Sequence, residues 1–141
     1  MSLSITETRD IALCQSLRRI VFIEEQGVSV EDEVDGRDDS ARHLLAQLDG
    51  TPVGTARLLT DGSTGKIGRV CVLPQARGNH VGQELIRAAI ATFRATPGLN
   101  QAKLGAQTHA LGFYAALGFT AVGEVYIDAG IPHRDMVLPL T

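Results

Sequence analysis

The sequence has few of the features that mark membrane, secreted or nucleic-acid-binding proteins. No apolar run approaches the ~20 residues that a membrane span needs, so no membrane partner is expected. Residues 1–10 contain no stretch of signal-peptide length, which predicts a cytoplasmic protein. A basic excess is also missing, because 13 Lys and Arg stand against 16 Asp and Glu. We therefore expect no nucleic-acid partner.

Cysteine and histidine are too sparse and too scattered for a disulfide framework or a metal site. Cys14 and Cys71 are the only cysteines, and both lie in apolar surroundings without a CxxC pattern. This predicts two buried structural thiols in a reducing cytoplasm. The four histidines occur singly, so no metal is expected. The 141 residues, 44% of them apolar, suit a single domain spanning 1–141.

Negative charge is concentrated in one segment. Residues 24–39 hold 8 of the 16 acidic residues and one arginine, a local sum of -7, so the other 125 residues sum to +4. This acidic segment could face a cationic ligand or could be a solvated loop. Its valines at positions 28, 30 and 34 predict an ordered loop or short helix that contacts the core.

The hydrophobic pattern predicts one α/β unit with a mixed sheet. An apolar stripe at helical spacing, from Leu85 to Phe93, gives the clearest helix. Asp49-Gly50 predicts a tight hairpin, because both residues tolerate positive φ. The predicted strands are 2–8, 43–48, 52–59, 66–73, 102–106, 122–127 and 136–140, and the predicted helices begin at Asp10, follow Gly82 and span 110–117.

Residues 70–82 read as a strand, a polar glycine-containing loop and the start of a helix. Such a connection presents free backbone N–H groups and the positive end of the helix dipole, which bind phosphate or pyrophosphate. Arg77 would add a charge-assisted donor. The residues alone also fit an ordinary strand-to-helix connection with an exposed arginine.

Residues 110–119 read as a short helix that ends at Gly118, with aromatic side chains on both sides. Tyr114 is either a core residue or a functional one. A buried phenol needs a hydrogen-bond partner, and the sequence does not indicate which group supplies it.

The order of these two stretches resembles the GCN5-related N-acetyltransferase (GNAT) superfamily. The pattern Arg77-Gly-x-His80-x-Gly82 precedes a helix, and Phe-Tyr-x-x-Leu-Gly-Phe follows at 113–119. The resemblance covers nearly the whole chain, and further stretches resemble the ElaA/YjcF-like branch: Val21-Phe-Ile-x-Glu-Gln26, Gly68-Arg-Val-x-Val-Leu-Pro74 and Ala106-Gln-x-His-Ala110.

This resemblance implies a fold and a reaction. The fold would be a mixed, largely antiparallel, V-shaped sheet of six to seven strands flanked by about four helices. The cosubstrate would be acetyl-CoA, without a metal. The reaction would move an acetyl group to the amine of an unidentified small molecule or of a protein. A homodimer is expected only by analogy with the family.

The resemblance also implies binding residues for acetyl-CoA. The backbone of Val70, Cys71 and Val72 would pair with the pantetheine arm like an added strand. Tyr114 matches the position that gives a proton or hydrogen bond to the leaving thiolate. The family usually has glycine where this chain has His80. The pyrophosphate would lie over Arg77, Gly78, Asn79, His80, Val81, Gly82 and Gln83.

The proton acceptor for the amine is less defined. Glu25 and His109 are the main candidates, and His133 and Arg134 are weaker ones. A backbone N–H on strand 66–73 could stabilise the charge on the carbonyl oxygen. In the family fold, the acidic segment falls on the acceptor side. The resemblance therefore predicts that the protein prefers a cationic acceptor and that this preference depends on Glu24 and Glu25.

Two alternatives to an enzyme remain at this stage. A GNAT-fold module could bind acyl-CoA as a sensor without transferring it, and His80 favours this interpretation. A phosphate- or nucleotide-binding domain unrelated to acyl transfer would use the same loop and helix.

Overall fold

One seven-stranded sheet forms the centre of the protein in a computed structural model that describes residues 2–141. All seven predicted strands are present, although β4 begins earlier and β7 is longer than predicted. The strands are β1 Leu3–Thr8, β2 Arg42–Leu48, β3 Thr51–Asp61, β4 Thr64–Val72, β5 Gln101–Gln107, β6 Thr120–Asp128 and β7 Ile131–Pro139. Their order across the sheet is β1-β2-β3-β4-β5-β7-β6.

The sheet is antiparallel except between β4 and β5. This parallel pairing joins Thr64–Ile67 of β4 to Gln101–Leu104 of β5. Beyond it β4 stays paired with β3 as far as Val72, and β5 stays paired with β7 as far as Gln107. The two central strands therefore separate, which confirms the mixed, V-shaped sheet expected from the resemblance.

Four α-helices accompany the sheet: α1 Ile11–Arg18, α2 Val30–Glu33, α3 Val81–Arg94 and α4 Leu111–Ala116. The Asp10 carboxylate caps α1 by accepting from the Leu13 amide at 3.1 Å, as its position predicts. The α-helix predicted to begin at Asp10 is wrong beyond Arg18, because the chain there forms a wider π-helical turn, Arg19–Glu25. Such turns are rare and frequently occur at functional sites.

The helices cover both faces of the sheet. Side chains alternate along a strand, so neighbouring residues point to opposite faces. Leu44 of β2 packs in the cluster with Leu85 and Phe93 of α3, whereas Leu45 packs with Leu17 of α1. The apolar stripe of α3 is buried as predicted.

Several local predictions can be compared directly with this fold. Asp49 and Gly50 adopt φ of 50° and 83° in the predicted hairpin. Val28 is buried, but Val30 and Val34 are 46% and 55% exposed, so the prediction that all three contact the core is wrong. Cys14 and Cys71 are buried and free, as predicted. Within residues 2–141, no helix has the length and apolar character needed to cross a bilayer.

Candidate active site

A groove of about 970 Å³ lies between β4 and the start of α3. It is open at the surface, and its walls come from the π-helical turn, from β4 and from the loop before α3. Most of the residues expected to bind CoA line it: Val70, Cys71, Val72, Arg77, Gly78, His80, Val81, Gly82 and Gln83.

The backbone amides around the start of α3 are available to a ligand. The first amide bonded within this region belongs to Glu84, which donates to the His80 carbonyl at 3.0 Å. In the described chain the amides of residues 78–83 have no acceptor. The Asn79 side chain braces the loop by donating to the Ala76 carbonyl at 3.0 Å, so Asn79 offers only its amide. A row of free amides at the start of a 14-residue helix favours an anion.

His80 occupies the left-handed region, with φ of 61° and ψ of 18°. Glycine adopts this conformation without the steric cost that a side chain brings, which accounts for the glycine usual in the resembling family. His80 therefore keeps the backbone path of a glycine and adds an imidazole at the edge of the groove.

The separation of β4 from β5 leaves one edge of β4 open to the groove. Val72 and Cys71 pair with Gly54 and Thr55 of β3 on one side, while their other side faces the groove. An extended chain of amide groups could pair with this edge as an additional strand.

A β-bulge lies beside this edge. Thr55 pairs with Cys71 and Arg57 pairs with Gly68, so β4 has one residue more than β3 across this interval. Arg69, inside this interval, has a φ of 49°, a left-handed conformation that non-glycine residues rarely adopt. The bulge redirects the backbone at Val70, which lines the groove.

Glu25 and Arg77 form a bidentate ion pair across the groove. The Arg77 Nη1 atom lies 2.6 Å from Glu25 Oε2, and Nη2 pairs with Oε1. The Arg77 Nε atom donates to the Val72 carbonyl at 3.1 Å. This contact with Arg77 lowers the pKa of the Glu25 carboxyl below its usual range. Glu25 and Arg77, both predicted site residues, therefore lie in the groove, and each is the ion-pair partner of the other.

A second cavity, of about 400 Å³, opens where β4 and β5 separate. Tyr114 lines this cavity from α4. Its ring packs edge-on against Phe113 and Phe119, at centroid distances of 5.0 Å and 6.1 Å. Among the described residues its hydroxyl has no hydrogen-bond partner, and burial raises its pKa to about 12. The phenol is therefore protonated at neutral pH and free to donate to a ligand.

The groove and the cavity share four lining residues: Gln26, Val70, Gln107 and Ile131. The two spaces therefore meet at the separation of the central strands. A ligand in the groove can end beside Val70 and face a second ligand in the cavity.

Acidic side chains outnumber basic ones around the cavity. Asp32, Glu33 and Asp128 line it together with Arg69. Arg69 is held at the wall because its Nη2 donates to the carbonyls of Asp32 and Glu33, at 3.3 Å and 3.2 Å. The excess negative charge favours a cationic ligand.

Three of the eight acidic residues of the segment have a different role, since their carboxylates pair with buried arginines. Arg18 donates to Glu33 at 2.6 Å and to both oxygens of Asp38 at 2.9 Å and 2.8 Å. Arg57 donates two hydrogen bonds to the Asp35 carboxylate, at 2.8 Å and 2.7 Å. These contacts hold the pKa of Asp35 at about 2 and that of Asp38 below its usual range. The solvated-loop interpretation is therefore wrong for these three carboxylates.

The far wall of the cavity carries a tyrosine and a histidine from the last two strands. The Tyr126 hydroxyl donates to Asp135 Oδ1 at 2.7 Å, and its ring stacks on His133 at 5.9 Å. A Cβ on Gly105 would collide with that hydroxyl, so a larger residue at this position of β5 would displace the Tyr126 side chain. His133 Nδ1 lies 2.7 Å from the Ile131 carbonyl oxygen.

Comparison with known proteins identifies the family. A family model described as an acetyltransferase (GNAT) domain matches residues 21–140. The chain belongs to this GNAT family. It is 38% identical to ElaA of Escherichia coli over 125 residues, 85% of this chain and 81% of ElaA. It is 35% identical to the uncharacterized N-acetyltransferase YjcF of Bacillus subtilis over 122 residues, 86% of each chain.

Solved structures agree with this assignment. The crystal structure of E. coli ElaA is 32% identical and superposes with a TM-score of 0.85, covering 97% of this chain and 99% of that one. An acyl-CoA N-acyltransferase from Pseudomonas aeruginosa is 33% identical with a TM-score of 0.86, at the same coverage. The resemblance to the ElaA/YjcF-like branch is confirmed. Membership of an acyltransferase family also argues against a nucleotide-binding domain unrelated to acyl transfer.

The structure divides the GNAT candidate residues between the two spaces. Tyr114 and His133 line the cavity, whereas Glu25 and His109 line the groove. His109 lies in a 3-10 turn beyond β5, where its Nε2 is 2.7 Å from Gln107 Oε1. Arg134 turns away, since its Nε donates to the Gly123 carbonyl at 2.9 Å.

Neither Glu24 nor Glu25, the two glutamates expected to set the preference for a cationic acceptor, lines the cavity. Glu24 pairs with Arg19 at 3.8 Å on the surface, and Glu25 belongs to the groove. The acidic residues of this segment that line the cavity are Asp32 and Glu33. The charge count therefore located the acidic segment, but it did not indicate which of its side chains line the cavity.

Sequence reasoning missed other residues of this GNAT site. Arg69 was absent from the candidates, although an arginine inside the apolar run Ile67–Val72 signals an unusual position. Tyr126 was missed as well, and the alternation of polar residues at 126, 128, 133 and 135 was the available signal. Gly105 could not be recognised without the position of Tyr126. In the described chain no group of three or more His, Cys, Asp or Glu is arranged to hold a metal.

Proposed function

We propose that the protein is an N-acetyltransferase that moves the acetyl group of acetyl-CoA to the primary amine of a cationic small molecule. One observation carries the proposal. The groove with free amides at α3 meets the acidic cavity that contains Tyr114, at the point where β4 and β5 separate. The similar P. aeruginosa protein is described as an acyl-CoA N-acyltransferase, which supports the same substrate class.

The groove fits the shape and charge of CoA. The open edge of β4 at Val70–Val72 would bind the amide groups of the pantetheine arm. The amides of residues 78–83 and the Arg77 guanidinium would bind the pyrophosphate, with Arg77 exchanging Glu25 for phosphate. Acetyl-CoA supplies a thioester carbonyl and a thiolate leaving group when it is bound.

Tyr114 would act as the proton donor to that sulfur. Tyr114 lines the cavity, and its hydroxyl lacks a hydrogen-bond partner within residues 2–141. Because burial raises its pKa to about 12, it holds its proton until a thiolate forms nearby. The backbone N–H of Val70, at the bulge between the groove and the cavity, would donate to the carbonyl oxygen.

The acceptor would be recognised by charge. Asp32 and Asp128 are exposed acids that line the cavity, so they would attract a polyamine or another cationic amine. Changing each to Asn should raise the KM for spermidine about 2- to 5-fold, the size of an exposed charge interaction. Asp39 is an exposed acid of the same segment, and D39N serves as the matched control. Equal KM values for D32N, D128N and D39N would show that the carboxylates lining the cavity do not attract the acceptor.

The cellular setting is part of the proposal. Two buried free thiols suit a reducing cytoplasm, where we place the protein. A homodimer stays an expectation by analogy, and light scattering at assay concentration measures it.

A thiol-release assay tests the activity. Acetyl-CoA is incubated with the protein and spermidine, glucosamine, lysine or a lysine-containing peptide, and free CoA is followed. Amine-dependent release supports the proposal. Tight CoA binding by calorimetry without release on any amine would instead identify an acyl-CoA sensor. Thermal stabilisation by ADP equal to that by acetyl-CoA would show that the groove does not bind the pantetheine arm.

A further inference from the structure

His133 has a fixed tautomer. Its Nδ1 atom lies 2.7 Å from the carbonyl oxygen of Ile131. A carbonyl oxygen only accepts hydrogen bonds, so Nδ1 carries the proton of the neutral ring. The lone pair is therefore on Nε2, and the residue lines the cavity that also contains Tyr114.

The ring is also fixed in orientation. Tyr126 stacks on it with an interplanar angle of 19°, and the Tyr126 hydroxyl is anchored on Asp135. Asp135 lies two residues from His133 on β7, so both project from the same face. The stacked ring and the bond to Ile131 together limit rotation of the imidazole.

Neither of the other main candidate proton acceptors lines the cavity. The Glu25 carboxylate is paired with Arg77, and this pair lies in the groove rather than the cavity. The His109 Nε2 atom contacts Gln107 Oε1, whose oxygen accepts only, so Nε2 carries the proton there and the lone pair is on Nδ1. His109 likewise lines the groove.

We propose that Nε2 of His133 accepts the proton of the attacking amine, an inference that rests on the proposed function. The ammonium nitrogen gives one proton to Nε2, directly or through a water. Its freed electron pair forms the C–N bond while the C–S bond breaks. The sulfur leaves with that bond's electron pair and takes the Tyr114 proton. The nitrogen then loses a second proton to solvent. Finally, His133 gives its extra proton to solvent, and Tyr114 takes a proton from solvent.

Titratable and charged groups of both signs surround the cavity that His133 lines. The titratable and charged groups around the cavity and its far wall are Tyr126 and Asp128 of β6, Asp135 of β7, Lys103 of β5 beside Asp135, Tyr114 of α4, Asp32 and Glu33 of α2, and Arg69 of β4.

The first test compares the pH dependence of wild type and H133N. Asparagine can still donate to the Ile131 carbonyl but offers no basic nitrogen. We expect kcat/KM for the best amine to fall about 100-fold or more at neutral pH, with the CoA Kd and Tm unchanged. The variant depends on the free amine in solution, so its kcat/KM should rise about tenfold per pH unit toward pH 9. Wild type should change little over that range. A ratio that stays constant with pH, or a loss below threefold, would overturn the assignment.

The second test does not depend on turnover. Nitrogen-15 NMR of the histidine side chains, assigned by the signal that H133N lacks, reports which nitrogen carries the proton at about pH 8. We expect the proton on Nδ1, and a proton on Nε2 would overturn the inference. If wild type acetylates no amine, the proposed function fails, while this spectrum still decides whether Nε2 can accept a proton.

Discussion

The Glu25 carboxylate and the Arg77 guanidinium form a bidentate ion pair across the groove that would receive CoA. A pyrophosphate would need the same guanidinium, so ligand binding and the ion pair compete. Because Arg77 lowers the pKa of Glu25, the carboxylate is fully charged at neutral pH and repels phosphate as well.

Removing this charge should therefore tighten CoA binding. We expect E25Q to lower the CoA Kd about 2- to 5-fold in calorimetry, with a smaller gain at high salt. E24Q is the matched control, since the neighbouring Glu24 pairs with Arg19 at the surface, 3.8 Å away. If E25Q binds CoA no better than E24Q does, Glu25 does not compete for Arg77.

Tyr114→Phe removes the hydroxyl and keeps the ring between Phe113 and Phe119. We expect kcat to fall about 100-fold, within the range for loss of a proton donor, while the CoA Kd stays the same. Steady-state kinetics and calorimetry measure the two quantities. Turnover at the wild-type rate in Y114F would exclude Tyr114 as the donor.

His80→Gly should stabilise the fold. The left-handed conformation costs a non-glycine residue about 1–2 kcal/mol, and the greater freedom of glycine in the unfolded chain offsets part of that. We expect the free energy of unfolding to rise by about 0.5–1 kcal/mol and Tm by about 2–4 °C. H80A keeps a Cβ and should bring no such gain. Equal Tm values for the two variants would show that His80 is not strained.

Stability should fall steeply in acid. Arg57 holds the pKa of folded Asp35 at about 2, below its unfolded value near ~4. A group with a lowered folded pKa stabilises the protein above its unfolded pKa and loses that contribution as pH falls through the folded value. Urea midpoints should therefore be level above about pH 5 and decrease between about pH 4 and 2. Midpoints that stay level to pH 2 would show that the pairing with Arg57 does not stabilise the fold.

Local signals in the sequence were enough for the presence of all seven strands, for α3 and for the loop that borders the groove. Alternation located the strands, Asp49-Gly50 located the hairpin, and the order of Arg77, Gly82 and Tyr114 indicated the family. These features depend on neighbouring residues or on short motifs, which a single sequence retains.

The cavity could not be predicted because it depends on contacts between distant segments. The acidic run between residues 24 and 39 gave no sign that Asp38 lies 2.8 Å from Arg18, a contact made by folding. In the same way, the tautomer of His133 depends on the strand path that brings its ring against the Ile131 carbonyl. Charge content alone therefore located the acidic segment but not its side chains that line the cavity, Asp32 and Glu33.

Release of CoA from acetyl-CoA in the presence of spermidine, compared with glutamate, tests the central claim most directly. The acidic cavity beside Tyr114 predicts amine-dependent release with spermidine and a kcat/KM for glutamate at least about tenfold lower. Release with neither amine, or a clear preference for glutamate, would contradict the account.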